Sequence, residues 1–333
     1  MGPDGDWFTK MGCREAEIEC AGQMISNQGV KVSVLIPTYN SEEHLTECLD
    51  SVMEQDFTDM EILISDDGST DGTLRIIETY AKRDARIRWW QNPRNLGFIA
   101  NHNLCLQRAR GEYVKFVQAD DKLLSASAIR KMAAALDGNR SAVLAGSRQH
   151  VTGARSKPRI LFKKAGVHDG RRVIINCLEQ NTNFIGQPIL TMFRRSAAAR
   201  GFDERFVGHL DYDMWFHLLE QGDFVYLAET LGTWRVHENQ QTAKQKKTGV
   251  AEHEHLVFVE TYYAKTWLKE AATPRLLFAQ IHHLKKKYGR PAVPLTSAMM
   301  AQLSPPRFAW EWLKYKVSRP IQKMRQKAGW TTS

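Results

Sequence analysis

Short strand-like segments alternate with amphipathic helical segments in the first third of the chain. Four segments are rich in β-branched and aromatic residues, as buried strands are: Lys31–Ile36, Met60–Ile64, Arg86–Gln91 and Tyr113–Val117. Strands that alternate with helices of about 10 to 15 residues predict a mostly parallel sheet with helices on both faces. The predicted fold class is therefore α/β, and Pro37 is expected to end the first strand.

The segments between these strands have helical periodicity. Ser41 is expected to begin the first helix, and a third, more polar helix is predicted over Gly97–Arg108. The apolar residues that mark the first two helices are Leu45, Cys48, Leu49 and Val52, followed by Leu74, Ile77 and Ala81. Each helix connects two strands, so the strands are expected to run in the same direction.

Composition sets the size and the class of the protein. The 333 residues suffice for one large α/β domain with an appendage or for two ordinary domains, and 43% of them are hydrophobic. The net charge of +9 favours acidic ligands, anionic lipid or nucleic acid without choosing among them. Five widely spaced cysteines indicate a reducing compartment and neither a disulfide framework nor a zinc site.

The sequence predicts a cytoplasmic protein. Residues 1–29 lack the apolar core of a signal peptide, and no run of about 18 apolar residues occurs. We expect a poorly ordered extension over residues 1–29, a catalytic domain over 30–242 and a C-terminal helical region over 243–333.

Polar side chains follow three of the predicted strands. They are the segments 37–40 (Pro-Thr-Tyr-Asn), 66–71 and Asp120–Asp121. In open α/β sheets ligands bind beyond the carboxyl ends of the strands, so these segments predict one shared site. The adjacent carboxylates of Asp120 and Asp121 repel each other unless a cation lies between them and their ligand, which favours a divalent metal. The alternative is a solvated turn with Lys122 as the partner of the acids.

Two residues of this edge suit a nucleotide base. Tyr39 offers a flat face for stacking, and the Asp67 carboxylate can accept a hydrogen bond from an N–H group of a pyrimidine. A half-buried aromatic residue at the start of a helix is the alternative for Tyr39.

Four motifs in this order resemble the family 2 glycosyltransferases, which have the Rossmann-like A-type nucleotide-sugar-binding fold. They are VSVLIPTYN, ISDDGSTDGT, NLGFIANHN and GEYVKFVQADD, and the resemblance extends less closely to about Thr242. It implies that Asp120 lies at the ribose and that Asp121 binds Mn²⁺ or Mg²⁺. Nucleotide-sugar binding is thereby assigned to Pro37, Thr38, Tyr39, Asp67, Asn95 and Asp120. Gln118 departs from the pattern, because many members carry a further Asp there.

A second acidic segment supplies a candidate base. The stretch GFDERF, followed by HLDYDMW, resembles the family segment in which an acidic pair precedes a helix, and Asp211 matches the second acid. Leu210 stands where Glu is usual. Asp211 could be aimed at an incoming hydroxyl group as a general base, or it could be the N-cap of the helix. Asp213 and His209 are the competing candidates for the base.

The segment WRVHENQQT, residues 234–242, resembles the closing R-x-H element of the family. An imidazole is a good ligand for Mn²⁺, so His237 is the second candidate ligand of the metal or of the diphosphate. The alternative is a lone histidine at the surface or one with satisfied hydrogen bonds in the core.

These residues together predict an inverting glycosyltransferase. A metal would neutralise the leaving diphosphate of a nucleoside-diphosphate sugar, and Asp211 would deprotonate the hydroxyl group of a saccharide or lipid-linked acceptor. A sugar nucleotidyltransferase is the enzyme alternative, but the segment 37–40 lacks its Gly-rich loop and lysine. A nucleic-acid-binding module would leave the clustered carboxylates without a purpose, so no nucleic acid partner is expected.

The last thirty residues differ in composition. The segment 304–333 carries seven Lys and Arg residues and one acid, interleaved with tryptophans and other aromatic residues. This composition is typical of a peripheral contact with an anionic membrane, here the inner face. A helix that docks on the catalytic domain is the alternative.

Overall fold

The structure is a computed structural model that describes residues 29–153, 162, 164–180, 182–237, 254, 258, 261–262 and 265–271. The N-terminal extension, most of the C-terminal region and the basic segment 304–333 lie outside these residues. Within the described part of the chain, no helix is both long enough and apolar enough to cross a membrane.

One large sheet with flanking helices forms the described part. Its strands are β1 (Val32–Thr38), β2 (Met60–Asp66), β3 (Ile87–Gln91), β4 (Tyr113–Phe116), β5 (Lys122–Leu123), β6 (Ala142–Gly153), β7 (Gly166–His168), β8 (Thr191–Arg194) and β9 (Asp223–Val236). The α-helices are α1 (Leu45–Met53), α2 (Thr73–Ala81), α3 (Phe98–Arg108), α4 (Ala128–Asp137), α5 (Gly170–Gln180), α6 (Leu210–Leu219) and α7 (Thr266–Ala271). Two short 3-10 helices span Pro188–Leu190 and Arg195–Ala198.

The strand order is β3-β2-β1-β4-β8-β6-β9-β5, and β7 pairs with β9. The first four strands are mutually parallel, as the alternating pattern predicts. Beyond them, β8 is antiparallel to both β4 and β6, whereas β6 and β9 are parallel. The predicted α/β class is confirmed, and the second half of the chain adds antiparallel strands to the sheet.

Both faces of the sheet are buried. In β1, Leu35 packs into one hydrophobic cluster, while Val34 and Ile36 pack into the other. Successive side chains of a strand point to opposite faces, which explains why this strand is apolar without alternation. Helices α3, α5 and α6 cover the first face, and α1, α2 and α4 cover the second.

Pro37 does not end the first strand, contrary to the expectation. The parallel pairing of β1 with β2 continues through Pro37 and Thr38. On its other side β1 pairs with β4 only as far as Leu35, whose carbonyl accepts the Val117 N–H. Hydrogen-bonding directions alternate along a strand, so Pro37 and Leu35 both face the β4 side of β1. The pairing with β4 has ended before Pro37, so no hydrogen bond is lost because proline has no N–H.

Residues beyond 242 contribute to the same core. Phe258, Tyr262 and Leu268 are almost fully buried and belong to the hydrophobic cluster that contains α5 and α6. The C-terminal region therefore packs, in its described part, against the helices next to the second acidic segment.

Candidate active site

The polar segments meet at the carboxyl edge of the parallel strands. Thr38 pairs with Asp66 where β1 and β2 end, and Gln91 pairs with Asp66 at the end of β3. Asp120 and Asp121 follow β4 in a turn in which the Asp121 N–H donates to the Gln118 carbonyl. The shared edge expected from the sequence is thus present.

The last residues of β9 run beside the two acids. The Arg235 N–H donates to Asp121 Oδ1 at 2.9 Å, and Arg235 Nε donates to the Asp120 carbonyl at 3.0 Å. His237 Nε2 lies 2.9 Å from Asp120 Oδ2. The antiparallel pairing of β5 with β9 brings Arg235 and His237 close to the two acids, because Lys122, which follows Asp121, pairs with Thr233.

The two acids differ in environment. Asp121 is 2% exposed, whereas the Asp120 side chain is about one third exposed. Burial raises the pKa of Asp121 well above its ordinary value, and the neighbouring Asp120 carboxylate raises it further. The ionised form of Asp121 is therefore disfavoured in the protein alone, and a cation beside it would stabilise that form.

This donor set fits a divalent cation whose coordination the ligand completes. No group of three or more His, Cys, Asp and Glu side chains within the described residues could hold a metal alone. Mg²⁺ is usually bound by one or two carboxylates together with substrate phosphates, so a protein cage is not required. The sequence predicts that Asp121 and His237 share the metal, whereas the structure places His237 against Asp120, the residue assigned to the ribose. The physical reason is the position of β9, which carries His237 past the exposed acid.

Lys115 is a feature of the site that the sequence analysis missed. It is fully buried in β4, and its ammonium group donates to the carbonyls of Pro188, Ile189 and Thr191. Burial lowers the pKa of Lys115 to about 7, and the negative Asp121 opposes that shift. A lysine inside an otherwise apolar strand was the available signal.

Some of the residues expected to bind the nucleotide base are exposed, and others are buried. Tyr39 is half exposed, which leaves its ring open for stacking. Pro37 and Thr38 are buried, and the Thr38 hydroxyl lies near the Ser65 carbonyl and Asp66 Oδ1 at 3.3 and 3.4 Å. The side chains of Pro37 and Thr38 thus lie inside the fold, and their assignment to nucleotide-sugar binding stays a prediction.

Asp67 holds the loop before α3. Its Oδ1 accepts hydrogen bonds from Asn92 Nδ2 and the Leu96 N–H, and its Oδ2 accepts one from the Gly97 N–H, all between 2.8 and 2.9 Å. Asn95 is exposed in the same loop, and its Oδ1 accepts the Gly97 N–H. Asp67 retains one lone pair on Oδ2, so its contact with a base stays a prediction.

The departure at Gln118 has a structural partner. Gln118 Nε2 lies 2.9 Å from Nε2 of the buried His102, whose Nδ1 lies 2.7 Å from the Phe98 carbonyl. Burial lowers the pKa of His102 to about 4, so the ring is neutral at pH 7. A neutral ring that donates from Nδ1 must accept at Nε2, so the Gln118 amide is the donor.

Asp211 shares a cavity with the acid pair. The cavity has a volume of about 310 Å³, and Asp120, Asp121 and Asp211 line it together with Gln118. No described residue donates a hydrogen bond to the Asp211 carboxylate. Burial raises the pKa of Asp211 to about 7, a value that suits a general base.

The structure separates Asp211 from the alternatives. The N-cap of α6 is His209, and Asp211 lies in the first turn, so the N-cap interpretation is wrong. Asp213 is buried, pairs with Arg200 and accepts a hydrogen bond from the Tyr262 hydroxyl. These contacts hold Asp213 in the interior and leave Asp211 as the acid that faces the cavity.

Comparisons with known proteins identify the family of this chain. A model of the family described as Glycosyl transferase family 2 matches residues 33–202. The chain is 32% identical to EpsE of Bacillus subtilis over 229 residues, which are 66% of this chain and 77% of EpsE. It is also 38% identical over 109 residues to the GalNAc(5)-diNAcBac-PP-undecaprenol beta-1,3-glucosyltransferase of Campylobacter jejuni, which are 32% of this chain and 35% of that enzyme. The chain thus spans only about a third of the length of that second relative.

Two solved structures share the fold. One is S. aureus TarS 1-349 in complex with UDP-GlcNAc, with a TM-score of 0.57, 20% identity and coverage of 91% of this chain and 93% of that one. The other is the mannosyltransferase PcManGT of Pyrobaculum calidifontis in complex with GDP-Man and Mn²⁺, with a TM-score of 0.54, 18% identity and coverage of 91% and 89%. Since the family model matches just over half of the chain and carries both the acid pair and the segment around Asp67, this protein belongs to glycosyltransferase family 2.

Proposed function

We propose that this protein moves a sugar from a nucleoside-diphosphate sugar to an acceptor hydroxyl group by metal-assisted direct displacement with inversion. One observation carries the proposal: the Asp211 carboxylate opens into the same cavity as the acid pair at the end of β4. A leaving diphosphate at the acid pair and an incoming hydroxyl group at Asp211 then lie on opposite sides of one sugar.

Asp120 and His237 would hold the metal. The buried carboxylate of Asp121, next to Asp120 in the chain, would add negative charge. When bound, the metal acts as a Lewis acid that neutralises the departing diphosphate. The lining of the cavity by the described residues includes three acids and neither lysine nor arginine. That lining supports a role for a cation that arrives with the donor.

Asp211 would accept the proton of the acceptor hydroxyl group. The acceptor oxygen then forms the new bond to the anomeric carbon, and the bond to the diphosphate oxygen breaks with its electron pair leaving on the diphosphate. The absence of a hydrogen-bond donor to Asp211 among the described residues supports this role, because a base already occupied by the protein would have to exchange partners first.

Replacement of the base tests the mechanism. Asp211→Asn should lower kcat for transfer by about 10² to 10⁴, the usual contribution of general base catalysis, while donor binding is kept. Asp203→Asn is the matched control, because that acid lies on the same approach to α6 and pairs with the exposed Arg205. Proton NMR of the first product should show the anomeric configuration opposite to that of the donor. Retained configuration, or normal turnover of Asp211→Asn, would overturn the mechanism.

We further propose a saccharide or lipid-linked acceptor, presented at the inner face of a membrane. Phe98, Tyr212 and Trp234 line the cavity, and aromatic walls suit a sugar ring. The name of the Campylobacter jejuni relative includes an undecaprenol-linked acceptor. The basic, tryptophan-rich composition of residues 304–333 supports a contact with anionic lipid. Removal of residues 304–333 should abolish flotation with anionic vesicles and leave donor hydrolysis unchanged; loss of donor binding instead would refute the membrane contact.

A further inference from the structure

The C-terminal region contacts the chain on both sides of Asp211, just before α6 and within it. We call Glu254, Phe258 and Tyr262 the C-terminal brace. Glu254 Oε2 accepts the Gly208 N–H at 2.6 Å, three residues before Asp211. The Tyr262 hydroxyl donates to the carbonyl and to Oδ1 of Asp213, both at 3.0 Å, two residues after Asp211.

Glu254 fixes the entry into α6. It is only 4% exposed, and its Oε2 also lies 3.6 Å from Nδ1 of His209, the N-cap of the helix. The His209 ring stacks on Phe258, with ring centroids 5.4 Å apart and planes 28° apart. A buried carboxylate keeps hydrogen-bond partners close, so the Gly208–His209 segment of the cavity wall is tied to the brace.

Tyr262 fixes the rotation of α6 about its axis. Asp213 is 1% exposed, and its carboxylate forms an ion pair with Arg200 and accepts a hydrogen bond from the Tyr262 hydroxyl. Asp211 and Asp213 are two residues apart in one helix and therefore point to different sides of it. Holding Asp213 in the interior directs Asp211 towards the cavity.

We propose that Glu254 and Tyr262 are positioning residues for the general base, so that the C-terminal region is part of the catalytic machinery and not an appendage. This inference rests on the proposed role of Asp211. Neither residue touches the reacting atoms; both set the place and direction of the Asp211 carboxylate. An error of about 1 Å in that position can cost about 10² in rate.

The far end of α6 supplies a matched control. Glu220, the C-cap residue, accepts hydrogen bonds from Lys265 Nζ at 2.7 Å and from Trp267 Nε1 at 2.8 Å. Glu220→Gln disturbs the attachment of the same C-terminal region, but at the end of the helix away from Asp211. It should leave kcat close to that of the wild type.

The test compares Glu254→Met, Glu254→Gln and Tyr262→Phe in the full chain. Glu254→Met keeps the size of the side chain without an acceptor, and kcat for transfer should fall by about 10² with an unchanged KM for the donor. Glu254→Gln keeps an acceptor for the Gly208 N–H and should restore most of kcat. Hydrogen exchange of the amides of residues 208–211 should accelerate in Glu254→Met and stay slow in Glu254→Gln.

Several outcomes would overturn the inference. Wild-type kcat in Glu254→Met, or equal losses in Glu254→Met and Glu220→Gln, would reduce the brace to ordinary packing. If Glu254→Met does not fold, Tyr262→Phe decides, because it removes one oxygen only, the one that contacts Asp213. Its kcat should fall with an unchanged KM for the donor, and hydrogen exchange of the amides of residues 211–213 should accelerate; a wild-type kcat would overturn the inference. Failure of the proposed function gives a different result. Normal turnover of Asp211→Asn would reject Asp211 as the general base. An inactive Asp211→Asn together with fully active Tyr262→Phe and Glu254→Met would reject only the positioning role of the brace.

Discussion

The side-chain amide of Gln118 lies 2.9 Å from Nε2 of His102, and that imidazole is neutral. His102 is buried between Phe98 and Phe116, with ring centroids 4.2 and 5.3 Å away. A neutral amide is therefore a suitable partner at position 118, because it donates to the ring without drawing a proton onto it. The departure from the family pattern at Gln118 is matched by the chemistry of its neighbour.

This neutral histidine should make the protein less stable in acid. The pKa of His102 is about 4 in the folded protein and 6.5 ordinarily, so the unfolded chain binds the proton more readily. The contribution of His102 to stability is complete above pH 6.5 and is lost as the pH falls towards 4, by about 3 kcal/mol. Urea unfolding at pH 7 and pH 5 should show a larger loss for the wild type than for His102→Gln. Equal losses in the two proteins would contradict a neutral buried ring.

The rate of transfer should depend on the ionisation of Asp211. Its pKa is raised to about 7 by burial, and only the carboxylate form can accept a proton. We expect kcat/KM, which reports the ionisation of the free enzyme, to rise with pH and to reach half of its maximum near pH 7. Initial rates of transfer measured between pH 5 and pH 9 give the pH–rate profile. Asp211→Asn, assayed in the same way, gives the residual rate without this carboxylate. A profile that is flat across this range would exclude Asp211 as the titrating base.

Asp120 and Asp121 should differ in their effect on metal binding. His237 contacts Asp120, so Asp120→Asn and His237→Ala should each raise the Mn²⁺ concentration needed for half-maximal donor binding, by about tenfold or more. Asp121→Asn removes a buried charge whose Oδ1 accepts the Arg235 N–H, and it should act more weakly on metal affinity. Calorimetry with Mn²⁺ and a nucleoside diphosphate separates the three variants. A larger effect of Asp121→Asn would restore the assignment made from the sequence.

Asp67 should prove to be a support of the loop before α3. Asp67→Asn leaves Oδ1 for Asn92 and Leu96 but places an amide opposite the Gly97 N–H. The Gly97 N–H keeps its hydrogen bond to Asn95 Oδ1 but loses its charged acceptor. A hydrogen bond to a charged group contributes about 1.5 to 3 kcal/mol, so the free energy of unfolding should fall by about that amount. Glu78→Gln is the control, because that acid is exposed in α2, outside this loop. Weaker nucleotide binding at unchanged stability would instead assign Asp67 to the base.

The sequence alone determined the α/β class and the shared edge of the first strands. Local patterns suffice there, because the apolar runs of strands buried on both faces and the spacing of Leu45, Cys48 and Leu49 depend on neighbours in the chain. The motifs likewise predicted that Asp120 and Asp121 follow β4.

Only the tertiary structure decided the partners of these acids. His237 is 117 positions from Asp120, and the pairing of β5 with β9 decides which acid it meets. The contacts of Asp67 with Asn92, of Gln118 with His102 and of Gly208 with Glu254 also join separate segments. No local pattern encodes such contacts, since they arise when distant segments pack together. The burial that raises the pKa of Asp211 to about 7 has the same origin.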